Sequence, residues 1–229
     1  MPGIWMTRHE LLDDDGRAGF LTHFLGAHHA FRRDAARFGL ALRRLGAPPD
    51  AGRRPDVVAL RGHWGDYRGA LAHHHHLEDA LLFPQLRDAD PDAAITIDEL
   101  TVQHRGLDHA IAAVDDALVE LPSPEAIERS ARELADLASA LGPHLDLEER
   151  HLVPIMRATA VDLGQHDTQA PEDPGDPDES GHAFVLPWVA DDLGHHVVAA
   201  LVDEVPPAAS GAFPRWQAAY TDRLSRWHW

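Results

Sequence analysis

Residues 74–84, HHHLEDALLFP, and residues 144–154, HLDLEERHLVP, decide the fold of this chain. The two stretches align without a gap, and they share His, Leu, Glu, an acidic residue, Leu and Pro at matching positions. Chance is a poor explanation for a gapless match at all of these positions. The sequence therefore predicts that one helix pair occurs twice, with an approximate twofold axis through the middle of a bundle.

Both stretches place a histidine and a glutamate four residues apart, at His74 and Glu78 and again at His144 and Glu148. Side chains at this spacing lie on one face of a helix, about 6 Å apart, so they can converge on one cluster. Leucines flank both pairs at steps of three or four residues, as on the buried stripe of a helix. All four side chains are therefore predicted to point into the core.

The same criterion, apolar residues three or four positions away on the same helix face, selects one histidine from each of two other helical segments. His28 lies four residues after Phe24 and three before Phe31, whereas the residues three and four after the neighbouring His29 are arginines. In the segment that follows residues 74–84, this criterion selects His104. The candidate metal ligands are therefore His28, His74, Glu78, His104, His144 and Glu148.

Four imidazoles and two carboxylates that point into one core favour a metal centre. A lone histidine in a core is more often a hydrogen-bonded structural residue, but here six candidates converge in a duplicated motif. Without a metal, the buried carboxylates would be costly to keep unpaired. Histidine and carboxylate ligands without sulfur suit iron or manganese and do not exclude zinc. Bundle cores that hold two metals on inward-facing Glu and His are an established architecture.

Four long segments with helical periodicity predict an all-α, up-down four-helix bundle. Asp90 and Ser123, each followed by a proline, are expected to cap the third and fourth helices. Pro84 and Pro143 are expected to kink the second and fourth helices, because each lacks an N–H group and crowds the preceding turn. The predicted helices span about residues 17–46, 55–87, 90–121 and 123–160.

A linker and a helical extension are expected beyond the bundle. Residues 1–160 are predicted to form the bundle, and the acidic stretch 161–183, which contains prolines and glycines but no arginine, a solvated linker. Residues 184–229 are rich in aromatic side chains, and two extra C-terminal helices are predicted there, at about 187–204 and 214–227. Because so much aromatic surface is costly to leave in water, the extension is expected to pack on the bundle or to form a homodimer interface.

Composition excludes several classes of function. The 229 residues include 20 basic and 38 acidic ones, so nucleic acid and anionic membranes are not expected partners. The absence of cysteine excludes disulfides, thiolate metal sites, iron–sulfur ligation and cysteine nucleophiles. The sequence lacks an initial basic segment followed by an apolar run, and also the roughly 18 uninterrupted apolar residues of a transmembrane helix. A cytoplasmic location is expected.

Between about Gly19 and Met156, the sequence resembles the hemerythrin-like HHE cation-binding proteins. The resemblance depends on four motifs together, at residues 28–33, 74–84, 103–108 and 144–154. It implies a di-iron core with an oxo or hydroxo bridge and terminal histidine ligands. In such a core, Glu78 and Glu148 would be the two bridging carboxylates.

The sequence departs from the oxygen-carrying hemerythrins at two places. Those carriers have two histidines four residues apart in the third helix, whereas here Asp108 follows His104 at that spacing. Their fourth-helix acid comes five residues after the histidine, whereas here Glu148 and Glu149 follow at four and five residues. The set of four histidines and two glutamates is similar instead to that of bacterial di-iron proteins linked to nitrosative stress and iron–sulfur repair. Those often carry an N-terminal cysteine, which this chain lacks.

Other residues near the predicted ligands have two alternative roles. Asp108, His75 and Glu149 are candidates either for extra ligands or for groups that hydrogen-bond to a ligand. Four successive residues point all round a helix, so His73 and His76 are expected to face solvent or an interface.

The implied di-iron centre has open positions for a small ligand, and ferrous iron on hard ligands reacts with O₂, NO and H₂O₂. The leading hypothesis is a non-haem di-iron protein that handles these molecules, by peroxide decomposition or another redox reaction in oxidative or nitrosative stress. One alternative is a reversible O₂ or NO carrier or sensor without turnover. Another is a structural or storage protein that binds zinc or a different cation. The sequence leaves open whether there is turnover.

Overall fold

A computed structural model describes residues 11–48, 52–159 and 182–228 of the chain. Most of the predicted linker at 161–183 and the last aromatic residue, Trp229, lie outside the described residues. The described residues contain helices and no strand, as the all-α prediction requires. None of the described helices combines the length and the apolar character that crossing a membrane requires.

The helices follow the predicted segments closely within the bundle. The segment predicted at 55–87 is divided by a π-helical turn, and the segment predicted at 90–121 begins with a 3₁₀ turn. The elements are α1 (Phe20–Leu45), α2 (Val57–Leu77), the π turn (Glu78–Leu82), α3 (Phe83–Ala89), the 3₁₀ turn (Pro91–Ala93), α4 (Ala94–Leu118), α5 (Pro124–Thr159), α6 (His182–Ala190), α7 (His195–Glu204) and α8 (Pro207–Trp227).

Side-chain caps explain where several helices begin. The Asp56 carboxylate accepts hydrogen bonds from two backbone N–H groups in the first turn of α2, and the Ser123 hydroxyl accepts one from Ala126 N at 3.2 Å in α5. Asp90 caps the 3₁₀ turn by accepting from Asp92 N at 3.1 Å. In the segment predicted at 90–121, the α-helix therefore begins at Ala94. The sequence had placed its beginning at the proline after Asp90.

The π turn ends two residues before Pro84. Within it, Phe83 N–H donates to the carbonyl oxygen of Glu78, five residues earlier instead of four. Pro84 has no N–H group, and its ring would crowd the carbonyl group four residues back in a regular helix. The wider turn accommodates the proline. By contrast, α5 continues as an α-helix through Pro143 and Pro154.

The described residues form two compact units. The bundle unit contains residues 31–48, 52–159 and 222–228, and the terminal unit contains residues 11–30 and 182–221. The division falls inside α1 and inside α8. Each unit is therefore built from parts of the sequence that are far apart.

Aromatic side chains occupy one end of the bundle-unit core. Phe38 of α1 packs edge-on against Trp64 and Tyr67 of α2, with ring centroids 5.4 and 5.5 Å apart. Trp64 Nε1 donates to Asp115 Oδ1 of α4 at 2.6 Å. Trp227, in the last turn of α8, stacks on Phe38 at 5.0 Å. These contacts join three bundle helices with the final turn of α8.

A buried ion-paired cluster lies close to these rings. Asp34 and His63 are both fully buried, and His63 Nε2 lies 2.7 Å from Asp34 Oδ2. Arg33 Nε and Arg37 Nη1 donate to Asp34 Oδ1 at 2.9 and 3.1 Å. Burial alone would raise the pKa of Asp34, but His63 and Arg33 outweigh it and hold that pKa well below its usual range. Asp34 is therefore a buried carboxylate with its charge compensated.

The predicted helix at 187–204 is two helices instead of one. Residues 191–194 separate α6 from α7, and Asp192 adopts a left-handed conformation with φ of 67°. A right-handed helix cannot continue through such a residue. Tyr220 of α8 donates a hydrogen bond to Asp191 Oδ2 at 3.2 Å, which stabilises the turn between the two helices.

Close packing joins α1 to the C-terminal helices within the terminal unit. A Cβ atom on Gly26 would lie 2.8 Å from Val189 Cγ1, so only glycine fits between these two helices as they stand. His23 Nε2 lies 2.7 Å from a carboxylate oxygen of Glu204. Trp188 is 1% exposed, so this aromatic side chain of the extension is buried.

Candidate metal centre

Five of the six predicted ligands lie in the bundle unit. His74 is in the last turn of α2, Glu78 begins the π turn, His104 lies in α4, and His144 and Glu148 lie in α5. The side chains of Glu78, His104, His144 and Glu148 are 4% exposed or less, and that of His74 is 11% exposed. The helical spacing thus predicted the inward-facing positions of these five residues.

The ligand atoms of these residues form two overlapping groups. One group contains Glu78, His104 and His144, and the other contains His74, Glu78 and Glu148. In each group, one nitrogen or oxygen atom per residue lies within 4.8 Å of those of the others. Glu78 belongs to both groups, so its carboxylate lies where it could be shared between two ions.

The distances within the cluster place the two carboxylates among the three imidazoles. His144 Nε2 lies 3.1 Å from Glu148 Oε1, and His74 Nε2 lies 3.4 Å from Glu78 Oε1. His104 Nε2 lies 3.5 Å from Glu78 Oε2 and 3.8 Å from Glu148 Oε1. The Nε2 atoms and the carboxylates therefore face a common centre.

Two hydrogen bonds orient the imidazoles of this centre. His104 Nδ1 donates to Asp79 Oδ2 at 3.1 Å, and His144 Nδ1 donates to Gln103 Oε1 at 3.0 Å. Because each Nδ1 donates to these bonds, each Nε2 is the atom that faces the centre and can bind a metal once it carries no proton. Sequence analysis gave no role to Asp79 or Gln103, although each is the immediate neighbour of a predicted ligand.

Several buried atoms at the centre form no hydrogen bond with any described residue. They are Oε1 and Oε2 of Glu78 and Nε2 of His104 and of His144. Buried polar atoms almost always have a partner, and carboxylate oxygens with imidazole nitrogens are the ligands that iron, manganese and zinc accept. The donor set therefore fits metal ions.

A family comparison agrees with this geometry. Residues 19–156 match the hemerythrin HHE cation-binding domain. The chain belongs to this family. No curated protein and no solved structure matched the chain at a significant level. The buried His and Glu cluster is therefore the candidate cation site of a hemerythrin domain.

Electrostatics in the metal-free hemerythrin domain favour protons in place of the ions. Burial and the neighbouring Glu148 raise the pKa of Glu78 well above its usual value. Burial opposes the charged form of His104, but Glu148 and Glu78 outweigh it and raise the pKa of His104 to about 10. Protons and metal ions therefore compete for the same atoms.

His28 is fully buried in α1, on the part of the helix that belongs to the terminal unit. Its ring packs against Phe24, one turn earlier, with centroids 4.2 Å apart. One turn later, within the bundle unit, the Phe31 ring lies 5.4 Å from the ring of His74. His28 remains a predicted ligand on the strength of the sequence.

Asp108 and Glu149, two of the three additional candidates, lie outside both ligand groups. Asp108 is exposed, and the Glu149 carboxylate accepts from Arg32 Nη1 at 2.6 Å. Neither joins a group of ligand atoms among the described residues. His73 and His76 are exposed, as the helical wheel predicts.

His75 is the third of these candidates, and it joins the first ligand group. It is 4% exposed, and its ring stacks on His104 at 4.1 Å and meets His144 edge-on at 5.3 Å. Burial, followed by the neighbouring His104, lowers the pKa of His75 to about 2. The ring is therefore neutral near pH 7, which is the form of imidazole that binds metals.

Proposed function

We propose that this chain is a non-haem di-iron protein that reacts with O₂, H₂O₂ or NO, in peroxide decomposition or a related response to oxidative or nitrosative stress. The observation that supports the proposal is the pair of ligand groups that share Glu78. The proposed iron ligands are His28, His74, Glu78, His104, His144 and Glu148.

The positions of the carboxylates favour two ions over one. Glu78 contributes to both groups, and Glu148 has an oxygen 3.1 Å from His144 Nε2 while it also belongs to the group of His74. We therefore assign both carboxylates as bridges between the ions. His104 and His144 would bind one ion, and His74 would bind the other together with His28, which the sequence assigns.

The protein's own contribution is a preorganised and buried site. Asp79 and Gln103 hold two imidazoles with Nε2 facing inward, so little reorganisation is needed when an ion binds. Two carboxylates would neutralise part of the positive charge of the ions. Because the site is buried, only small molecules would reach it. When bound, iron would supply one-electron redox chemistry and coordination positions for such a molecule.

The decisive experiment combines metal analysis with reactivity. Protein loaded anaerobically with ferrous iron and freed of excess metal is expected to retain two irons per chain. It should then change its optical spectrum on addition of O₂, H₂O₂ or NO. Absence of reaction with all three molecules, or retention of a single ion, would overturn the proposal. Release of intact O₂ on deoxygenation would identify a carrier in place of a protein with turnover.

A further inference from the structure

His75 is a buried imidazole without a hydrogen bond. Neither Nδ1 nor Nε2 has a hydrogen-bond partner among the described residues, and only 4% of the residue is exposed. A buried polar group that lacks a partner is destabilising, so such groups are rare unless a ligand satisfies them. The neighbouring Leu71 and Leu82 are fully buried too, so an apolar side chain would be the ordinary occupant of this position.

The rings around His75 are themselves proposed ligands. One nitrogen of His75 lies within 4.8 Å of the ligand atoms of Glu78, His104 and His144. Its ring plane lies 14° from that of His104, with centroids 4.1 Å apart. The lone pair of His75 therefore reaches the same group of ligand atoms.

Helix geometry explains how adjacent residues can serve different ions. Successive side chains of an α-helix are rotated by about 100°, so His74 and His75 point to different sides of α2. Their ring centroids are 6.0 Å apart. His74 joins the group that contains Glu148, whereas His75 joins the group of His104 and His144.

We propose that His75 is a fifth imidazole ligand, bound to the ion that His104 and His144 hold. The inference rests on the proposed di-iron function. It gives the two ions different numbers of histidine ligands. One ion would have three imidazoles and the other two.

The second copy of the motif supplies the natural test variant. Leu145 occupies the position that corresponds to His75 and is fully buried. His75→Leu therefore copies an arrangement that the same motif already accepts. His75→Gln is a second variant in case the leucine disturbs folding, and His76→Leu, at an exposed neighbour, is the matched control. Circular dichroism and thermal unfolding would establish that each variant folds.

Mössbauer spectroscopy of protein loaded with ⁵⁷Fe is the main measurement. The wild type and His76→Leu are expected to show two different quadrupole doublets of equal area. His75→Leu and His75→Gln should shift one doublet and leave the other in place. In the two His75 variants, X-ray absorption at the iron edge should show four histidine ligands per pair of irons in place of five. Removal of a group that hydrogen-bonds to a metal ligand lowers metal affinity by ~10- to 100-fold. Because His75 is proposed as a ligand itself, zinc competition should show that the affinity for one ion falls by at least that much.

The outcomes separate this inference from the proposed function. Two irons with spectra and zinc affinities unchanged in both His75 variants would overturn the role of His75 and leave the di-iron proposal intact. If the wild type bound zinc but not iron, the iron proposal would fail, and the zinc titration would still decide the role of His75. A wild-type protein that bound neither metal would overturn both.

Discussion

The two copies of the motif, residues 74–84 and 144–154, carry the same types of candidate ligand but differ in local backbone structure and in the hydrogen bonds around these ligands. In the first copy the glutamate begins a π turn, whereas in the second it lies in an uninterrupted α-helix. Both copies end in proline, so the proline alone does not produce the π turn. The repeated residues therefore determine which atoms face the centre. The residues that differ between the copies determine the backbone structure and the hydrogen bonds around those atoms.

The acidic residue after the glutamate shows the same divergence. Asp79 of the first copy accepts a hydrogen bond from the ligand His104, whereas Glu149 of the second copy is paired with Arg32. His144 of the second copy is oriented from another helix, by Gln103. Equivalent positions in the motif therefore have different tasks.

The largest expected effect tests what the copies share. Glu78→Ala and Glu148→Ala should each abolish the dinuclear centre, because each carboxylate is assigned to both ions. Metal content after gel filtration, measured by mass spectrometry, is expected to fall from two ions per chain to one or none. His76→Ala, at an exposed position, should keep both ions. If either Glu variant retained two ions, its assignment as a bridge would be wrong.

The next effect tests the hydrogen bonds in which the copies differ. Asp79→Asn should weaken binding of one ion by roughly 10- to 100-fold, since it removes the carboxylate that orients His104. Gln103→Ala should have a smaller effect, because an amide is a weaker acceptor than a carboxylate. Competition titrations with a zinc chelator would measure both affinities. An affinity of Asp79→Asn equal to that of the wild type would show that the charge of Asp79 is irrelevant.

A third effect follows from the protonation of the metal-free centre. Because the pKa of His104 is raised to about 10, this group carries an extra proton near pH 7 and must lose it when a metal binds. Metal affinity should therefore rise with pH from 6 towards 8, with protons released on binding. Calorimetry in two buffers of different ionisation enthalpy would count these protons. Gln103→Ala should leave the count unchanged, whereas a pH-independent affinity would contradict the expectation.

The smallest effect is expected at Glu149. Glu149→Gln should leave the metal content unchanged, because Glu149 lies outside both ligand groups and pairs with Arg32. The pair is partly exposed, so its loss should lower the free energy of unfolding by only about 0–1 kcal/mol. Urea unfolding with parallel metal analysis would measure both quantities. Loss of one ion in this variant would make Glu149 a ligand and would bring the second copy closer to the oxygen carriers.

Sequence periodicity predicted much of the bundle because burial dictates it. The four helical segments, and the inward-facing positions of His74, Glu78, His104, His144 and Glu148, follow from apolar spacing alone. The π turn did not follow, since it depends on a local shift of backbone hydrogen bonds. The break at 191–194 was also missed, because apolar residues continue at helical spacing on both sides of it.

Contacts between helices were the other feature that the sequence did not predict. No spacing within their own helices indicates a role for Asp79 or Gln103, and only packing brings them to His104 and His144. His63 was given no role, yet it is buried against Asp34. Pairings of this kind depend on which residues of neighbouring helices meet, and one helix's spacing does not contain that information.

The stacking of Trp227 on Phe38 has a consequence for the kinetics of folding. Helical bundles usually fold fast because most of their contacts join residues that are close in the sequence. This contact joins positions separated by most of the chain. Helix pairs such as α4 and α5 can form early, but the core around Phe38 must wait for a distant segment to arrive. We therefore expect burial of Trp227 to lag behind helix formation during refolding. The measure is the part of the tryptophan fluorescence change that is lost in Trp227→Phe.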